Sequence, residues 1–187
     1  MIPIVSIIPI ISQVWQKENE KNEKNEKIEN AECRAPVSEK FAKFVGFVIK
    51  YMNNLLKKGA DGKIFEWPRS RVYKQFRKNK NVTKIVNEYE TQRQAAALGL
   101  APRVYNLFKD GEDRWGFVME RMSHTLMDEI RKNDGLSEKW QREMLRVIDG
   151  LDAARIFHGD LSPINFMIKD NRLYAIDFGK SERMTPR

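Results

Sequence analysis

The chain has 187 residues, 41% of them hydrophobic and 32% charged, which describes one globular core or the two lobes of a small bilobal domain with a highly charged surface. Its single cysteine, Cys33, excludes an internal disulfide and points to a reducing compartment, the cytosol or the nucleus. A net charge of +8 calls for anionic partners (nucleotide, RNA, DNA or an acidic lipid face) without choosing among them.

The apolar start, Met1 to Ile11, is shorter than the ~20 residues a membrane helix needs. It contains Pro3 and Pro9 and lacks a positive leader and a cleavage site, so an extended docking segment is expected, with no membrane span and no signal peptide. Lys17 to Glu29 is low-complexity and polar, with no apolar face before Ile28, and reads as a flexible linker or a frayed, exposed helix. Ordered structure is expected from Ser38. Phe41, Phe44, Val45, Val48, Ile49, Met52, Leu55 and Leu56 recur at three- and four-residue spacing, one face of a helix capped by Ser38 and stopped by Gly59.

Lys63–Trp67 and Arg71–Phe76 flank a Pro68-Arg69-Ser70 turn and predict a hairpin. Arg69 to Lys84 holds seven basic residues and no acid. It reads as a solvated connection between a strand and a helix, or as a phosphate-contacting surface for nucleic acid. A helix follows over Thr83–Leu98, closed by Gly99 and Pro102. Val104–Phe108 and Trp115–Met119 are strands joined by a turn-rich connection, and Leu126–Lys132 and Ser137–Phe157 are helices. A last hairpin pairs Asn165–Lys169 with Arg172–Ile176 across Asp170-Asn171.

The chemistry concentrates in His158-Gly159-Asp160-Leu161-Ser162-Pro163-Ile164-Asn165 and in Ala175-Ile176-Asp177-Phe178-Gly179. Two carboxylates and an amide, from a loop and from turns beside it, can hold a divalent cation on phosphate oxygens and orient an attacking hydroxyl. The bland alternative, a helix-capping His158 and Asp160 with Asp177 opening a turn, requires both motifs to arise in order by chance.

The two motifs resemble the H-x-D-x-x-x-x-N and D-F-G signatures of the protein-kinase superfamily. H-G-D-L-S and I-D-F-G are closest to the atypical branch, the RIO kinases and the kinase subunit of the KEOPS tRNA-modification complex; H-G-D-L-x-P-x-N also occurs in aminoglycoside and choline kinase relatives. The resemblance covers about Gly59 to Ser181. It implies an α+β, bilobal fold with a small β-rich N-lobe and a mainly helical C-lobe, dividing the chain into 1–37, 38–120 and 121–187. It implies ATP and Mg²⁺ as cofactors, Asp160 as the catalytic carboxylate, and Asn165 and Asp177 as metal ligands. Lys74, in strand context, would grip the phosphates and pair with Glu88, chosen over Glu90 on the following helix. Gly59 and Gly62 would lie in the phosphate-covering loop. Glu120 and Met122 would lie in the adenine-binding connection.

Two departures stand out. The arginine of H-R-D is replaced by glycine, and Ser162 stands where protein-serine kinases usually carry lysine. After Gly179 only Lys180 to Arg187 follow, so the expected C-lobe is truncated and a partner protein would complete it, or the form is minimal. The expected activity is atypical serine/threonine protein phosphorylation. An ATPase or ATP-binding switch within a larger complex, with the basic run near RNA, is the alternative; a small-molecule kinase or a non-catalytic binding protein is the third reading.

Overall fold

The computed structural model describes residues 54–59, 61–110 and 113–183. The helix expected from Ser38, the start Met1–Ile11, the stretch Lys17–Glu29 and Cys33 lie outside them. Within them the elements run β1 (Leu55–Lys58), β2 (Gly62–Trp67), β3 (Arg71–Phe76), α1 (Val82–Ala97), β4 (Val104–Lys109) and β5 (Trp115–Glu120). Then come β6 (His124–Thr125), α2 (Leu126–Asn133), α3 (Glu138–Ala153), β7 (Ile156–Phe157), β8 (Phe166–Lys169), β9 (Arg172–Ala175) and β10 (Glu182–Arg183).

The first five strands form one antiparallel sheet in the order β1-β2-β3-β5-β4. Alternation along β3 sends Val72 and Phe76 to the face covered by α1, where they pack with Ile85, Phe117 and Met119. Tyr73 goes to the other face, stacked on Phe108 at 5.1 Å and tilted against Trp67 at 5.7 Å. Gly116 is required there: a Cβ would stand 2.3 Å from the Tyr73 ring. Arg69 and Ser70 both adopt positive φ (61° and 53°), the geometry that closes a tight hairpin without splaying its strands.

Three expectations need correction. Leu55 and Leu56 do not end a helix: they open β1, with Leu55 opposite Phe65 and the Asn54 carbonyl accepting from the Glu66 N–H at 3.0 Å. The long helix expected over Ser137–Phe157 stops at Ala153. Arg155 turns left-handed (φ 56°), and Ile156–Phe157 leave as a strand that pairs with Glu182–Arg183. Asn165, expected as the first residue of a strand, instead closes a short 3₁₀ turn over Pro163–Asn165.

The lower lobe buries Leu126, Trp140, Val147, Leu151, Phe166, Leu173 and Phe178 in a second cluster. Ala95, Leu100 and Ala101, from the end of α1 and the turn after it, belong to this cluster and not to the sheet's. Gly150 leaves room for Leu100, since a Cβ would come within 2.7 Å of its side chain, and the Leu100 carbonyl accepts from the Ala175 N–H at 2.8 Å. The helix beside the sheet is therefore rooted in the helical lobe. The molecule is α+β, with a β-rich small lobe and a kinase-like arrangement of elements. No helix among the described residues is long and apolar enough to cross a membrane.

Candidate active site

Each lobe delivers its charged groups for a local reason. Strand β3 points Lys74 toward α1, and Asn81 caps that helix by accepting from the Thr83 N–H at 2.8 Å. Two turns into α1, Glu88 is fully buried. From the lower lobe, Asp160 follows Gly159, whose φ of +78° no Cβ would favour and whose Cβ would meet the Lys180 carbonyl at 2.5 Å. Asp177 is itself left-handed (φ 67°, ψ 63°), a conformation that turns the chain sharply between β9 and the next short turn.

Asp160 and Asp177 line a cleft of about 580 Å³ together with Asp61, Arg77, Lys80 and Lys180 among others, while Lys74, Glu88 and Asn165 are not part of that lining. Lys74 Nζ donates to Glu88 Oε1 at 2.5 Å and to Asp177 Oδ1 at 3.0 Å, joining the sheet, the helix and the lower lobe through one ammonium. Burial works to lower the Lys74 pKa, but the Glu88 and Asp177 charges outweigh it and the net shift is upward. For Asp177, burial pushes the carboxyl up while Lys74, with help from Lys80, holds it below the usual aspartate value. Both groups therefore stay ionised at neutral pH.

Asn165 is buried, and its Nδ2 donates to the Asp160 carbonyl at 2.9 Å. That bond commits the amide nitrogen and leaves Oδ1 as the atom able to face a cation. His158 supports the same loop from behind. Its Nε2 donates to the Ile176 carbonyl at 3.0 Å, and its ring packs on Phe178 at 4.6 Å. Lys180 Nζ lies 2.9 Å from Asp160 Oδ2.

The remaining expected residues lie elsewhere. Gly59, Gly62, Glu120 and Met122 do not line this cleft. Gly62 sits in β2 with the Gln75 carbonyl only 1.9 Å from where its Cβ would be, so its lack of a side chain is a requirement of strand packing. Glu120 pairs with Lys169, its backbone N–H donates to the Arg103 carbonyl at 2.8 Å, and Met122 is buried. Glu90 pairs outward with Arg93 at 2.7 Å, in contrast to Glu88.

Three residues of the cleft were not among the expected site residues. Lys80, read as part of a basic run, bridges Asp61 and Glu88 at 3.0 Å each. The run is thus divided: Lys74 and Lys80 face the site, while Arg71 stacks over the Tyr105 ring at 3.7 Å. Asp61, Glu88 and Asp177 each offer an oxygen within 4.8 Å of the others, and the two lysines already compensate them. Lys180 is the third. Its adjacency to D-F-G was the available clue.

Hard oxygen donors from Asp177 and Asn165, beside a lysine held by a buried glutamate, suit a magnesium ion carried on phosphate. Comparison with known proteins gives the same direction. Residues 63–185 match the RIO domain family. The chain is 34% identical over 104 residues to the EKC/KEOPS complex subunit BUD32 of Encephalitozoon cuniculi, covering 52% of this chain and 50% of that protein. It is 29% identical over 148 residues to the KEOPS complex subunit Bud32 of Pyrococcus abyssi, covering 68% and 67% respectively. A shorter match, 34% over 62 residues, joins it to a probable serine/threonine-protein kinase BUD32 homolog of Archaeoglobus fulgidus, covering 33% of this chain and 29% of that one. The chain thus spans half the length of the Encephalitozoon protein and about two thirds of the Pyrococcus one.

Proposed function

The chain belongs to the RIO domain family, and on that premise we propose that it is an atypical kinase that transfers the terminal phosphate of ATP to a serine or threonine hydroxyl of a protein. The observation that carries this reading is Lys74 held between Glu88 and Asp177, at 2.5 and 3.0 Å. A lysine so placed is ionised and fixed beside Asp177, which lines a cleft that an anionic ligand can enter.

Mg-ATP, when bound, supplies the phosphoryl group and the charge that neutralises it in flight. The chain's own residues do the rest. Lys74 would take phosphate oxygens, and Asn165 Oδ1 and the Asp177 carboxylate would hold the cation. The Asp160 carboxylate would accept the hydroxyl proton as the acceptor oxygen bonds to phosphorus and the bond to the departing nucleotide breaks.

A second reading is favoured by the names of the relatives, which are subunits of the KEOPS complex in Encephalitozoon and Pyrococcus. In it the same site hydrolyses ATP as a switch inside an assembly, with protein partners.

Incubation with γ-labelled ATP and Mg²⁺, beside Asp160→Ala, separates the two. Label on the wild-type protein or on an added substrate protein supports the kinase. Phosphate release without labelled protein supports the switch. Neither product, with or without partner proteins added, overturns both.

A further inference from the structure

Three lysines hold carboxylates in the cleft, and they are not equivalent. The Lys74 and Lys80 side chains are 12% and 14% exposed, and each bridges two acids. Lys180 is 72% exposed, and its ion pair among the described residues is with Asp160 alone. Moving the first two costs buried pairs, whereas moving Lys180 exchanges one solvent-facing contact for another.

Its backbone, by contrast, is fixed. Gly159 presses against the Lys180 carbonyl, with room for no Cβ. The next residue, Ser181, donates its hydroxyl to the Phe178 carbonyl at 2.6 Å, and its own carbonyl accepts from Asn87 Nδ2 at 3.3 Å. Pairing of Glu182 with Phe157 locks the strand beyond. A flexible cationic arm on a clamped base, reaching the carboxylate at which transfer occurs, is placed to change partners when a more concentrated anion arrives.

We propose that Lys180 is a phosphate-binding residue: it rests on Asp160 in the open cleft and passes to the terminal phosphate of a bound nucleoside triphosphate. This rests on the kinase reading above. It gives the site, from the residue after D-F-G, the cation that Ser162 does not provide from the catalytic loop. It also frees Asp160 Oδ2 at the moment a hydroxyl must be oriented.

A contact with the terminal phosphate alone makes a prediction that a general loss of positive charge does not. Binding of ADP and of a non-hydrolysable ATP analogue, each with Mg²⁺, is measured by calorimetry for wild type, Lys180→Ala and Lys180→Arg. Lys180→Ala is expected to weaken the analogue about fivefold and to leave ADP unchanged, as suits one solvent-facing ion pair; Lys180→Arg keeps the preference. An equal effect on both nucleotides, or none on either, while wild type binds both, overturns the role of Lys180 and leaves the kinase reading standing. A wild type that binds neither nucleotide overturns the kinase reading and this one with it.

Discussion

His158 carries its proton on the nitrogen that faces Ile176, because a carbonyl can only accept. The other nitrogen, Nδ1, is buried and has no hydrogen-bond partner among the described residues. A second proton would therefore sit on an atom with nothing to receive it, and burial lowers the His158 pKa below its ordinary 6.5. The unfolded chain then binds the proton where the folded chain does not. Stability is full above the unfolded value and falls as the pH drops from it toward the folded one. The thermal midpoint is expected to decline below about pH 6.5, and His158→Gln, whose amide can still donate to Ile176, is expected to flatten that slope. Equal slopes in the two proteins would remove His158 as the group responsible. Among the polar residues of the site, spacing pointed to Asp160, Asn165 and Asp177, and a strand followed by a helix pointed to Lys74 and Glu88. Asp61 lies between Gly59 and Gly62, in the loop expected over the phosphates. Lys80 and Lys180 were not legible, because an isolated charge in a strongly basic sequence looks the same on a solvated face as in a cleft.

Among the elements, α2 shows how a short helix is made to start. Thr125 Oγ1 accepts from the Asp128 N–H at 3.1 Å while the Asp128 carboxylate accepts from the Thr125 N–H at 3.0 Å, a reciprocal capping box. Asp134, left-handed at φ 50°, ends it. Thr125→Ala is expected to cost about 1 kcal/mol in denaturant unfolding, with an unchanged denaturant slope; a cost near zero would mean that packing of Leu126 alone fixes the helix. The hairpins were legible because Asp170-Asn171 tolerate positive φ and because Pro68 breaks the strand at the other turn, where Arg69 and Ser70 also take positive φ. Strands β1 and β7 were not. Leu55-Leu56 continue a helical spacing from the residues before them, and Ile156-Phe157 continue that of α3. What makes them strands lies far away in the chain, at Phe65 and at Glu182–Arg183. Local pattern carries no record of a distant partner.

For the whole molecule, the decisive packing is the insertion of Leu100 and Ala101 into the lower core. Leu100→Ala is expected to lose about 2–4 kcal/mol and to lower the stability of both lobes together. Fluorescence unfolding with a tryptophan reporter kept at Trp115 in the small lobe or at Trp140 in the large one should then give coincident transitions. Separate midpoints would show that the lobes melt independently of that insertion. The same rooting has a mechanical side. Glu88 rides on α1 about 10 Å from Ala95, the helix residue embedded in the lower lobe, at 1.5 Å per residue. A hydrogen-bonded helix has no joint over that length, so Glu88 is tied to the lower core through Ala95 and to the sheet through Ile85. The Lys74–Glu88 pair closes that link from the strand side, so one ion pair fastens the sheet to a helix whose far end is embedded in the lower core.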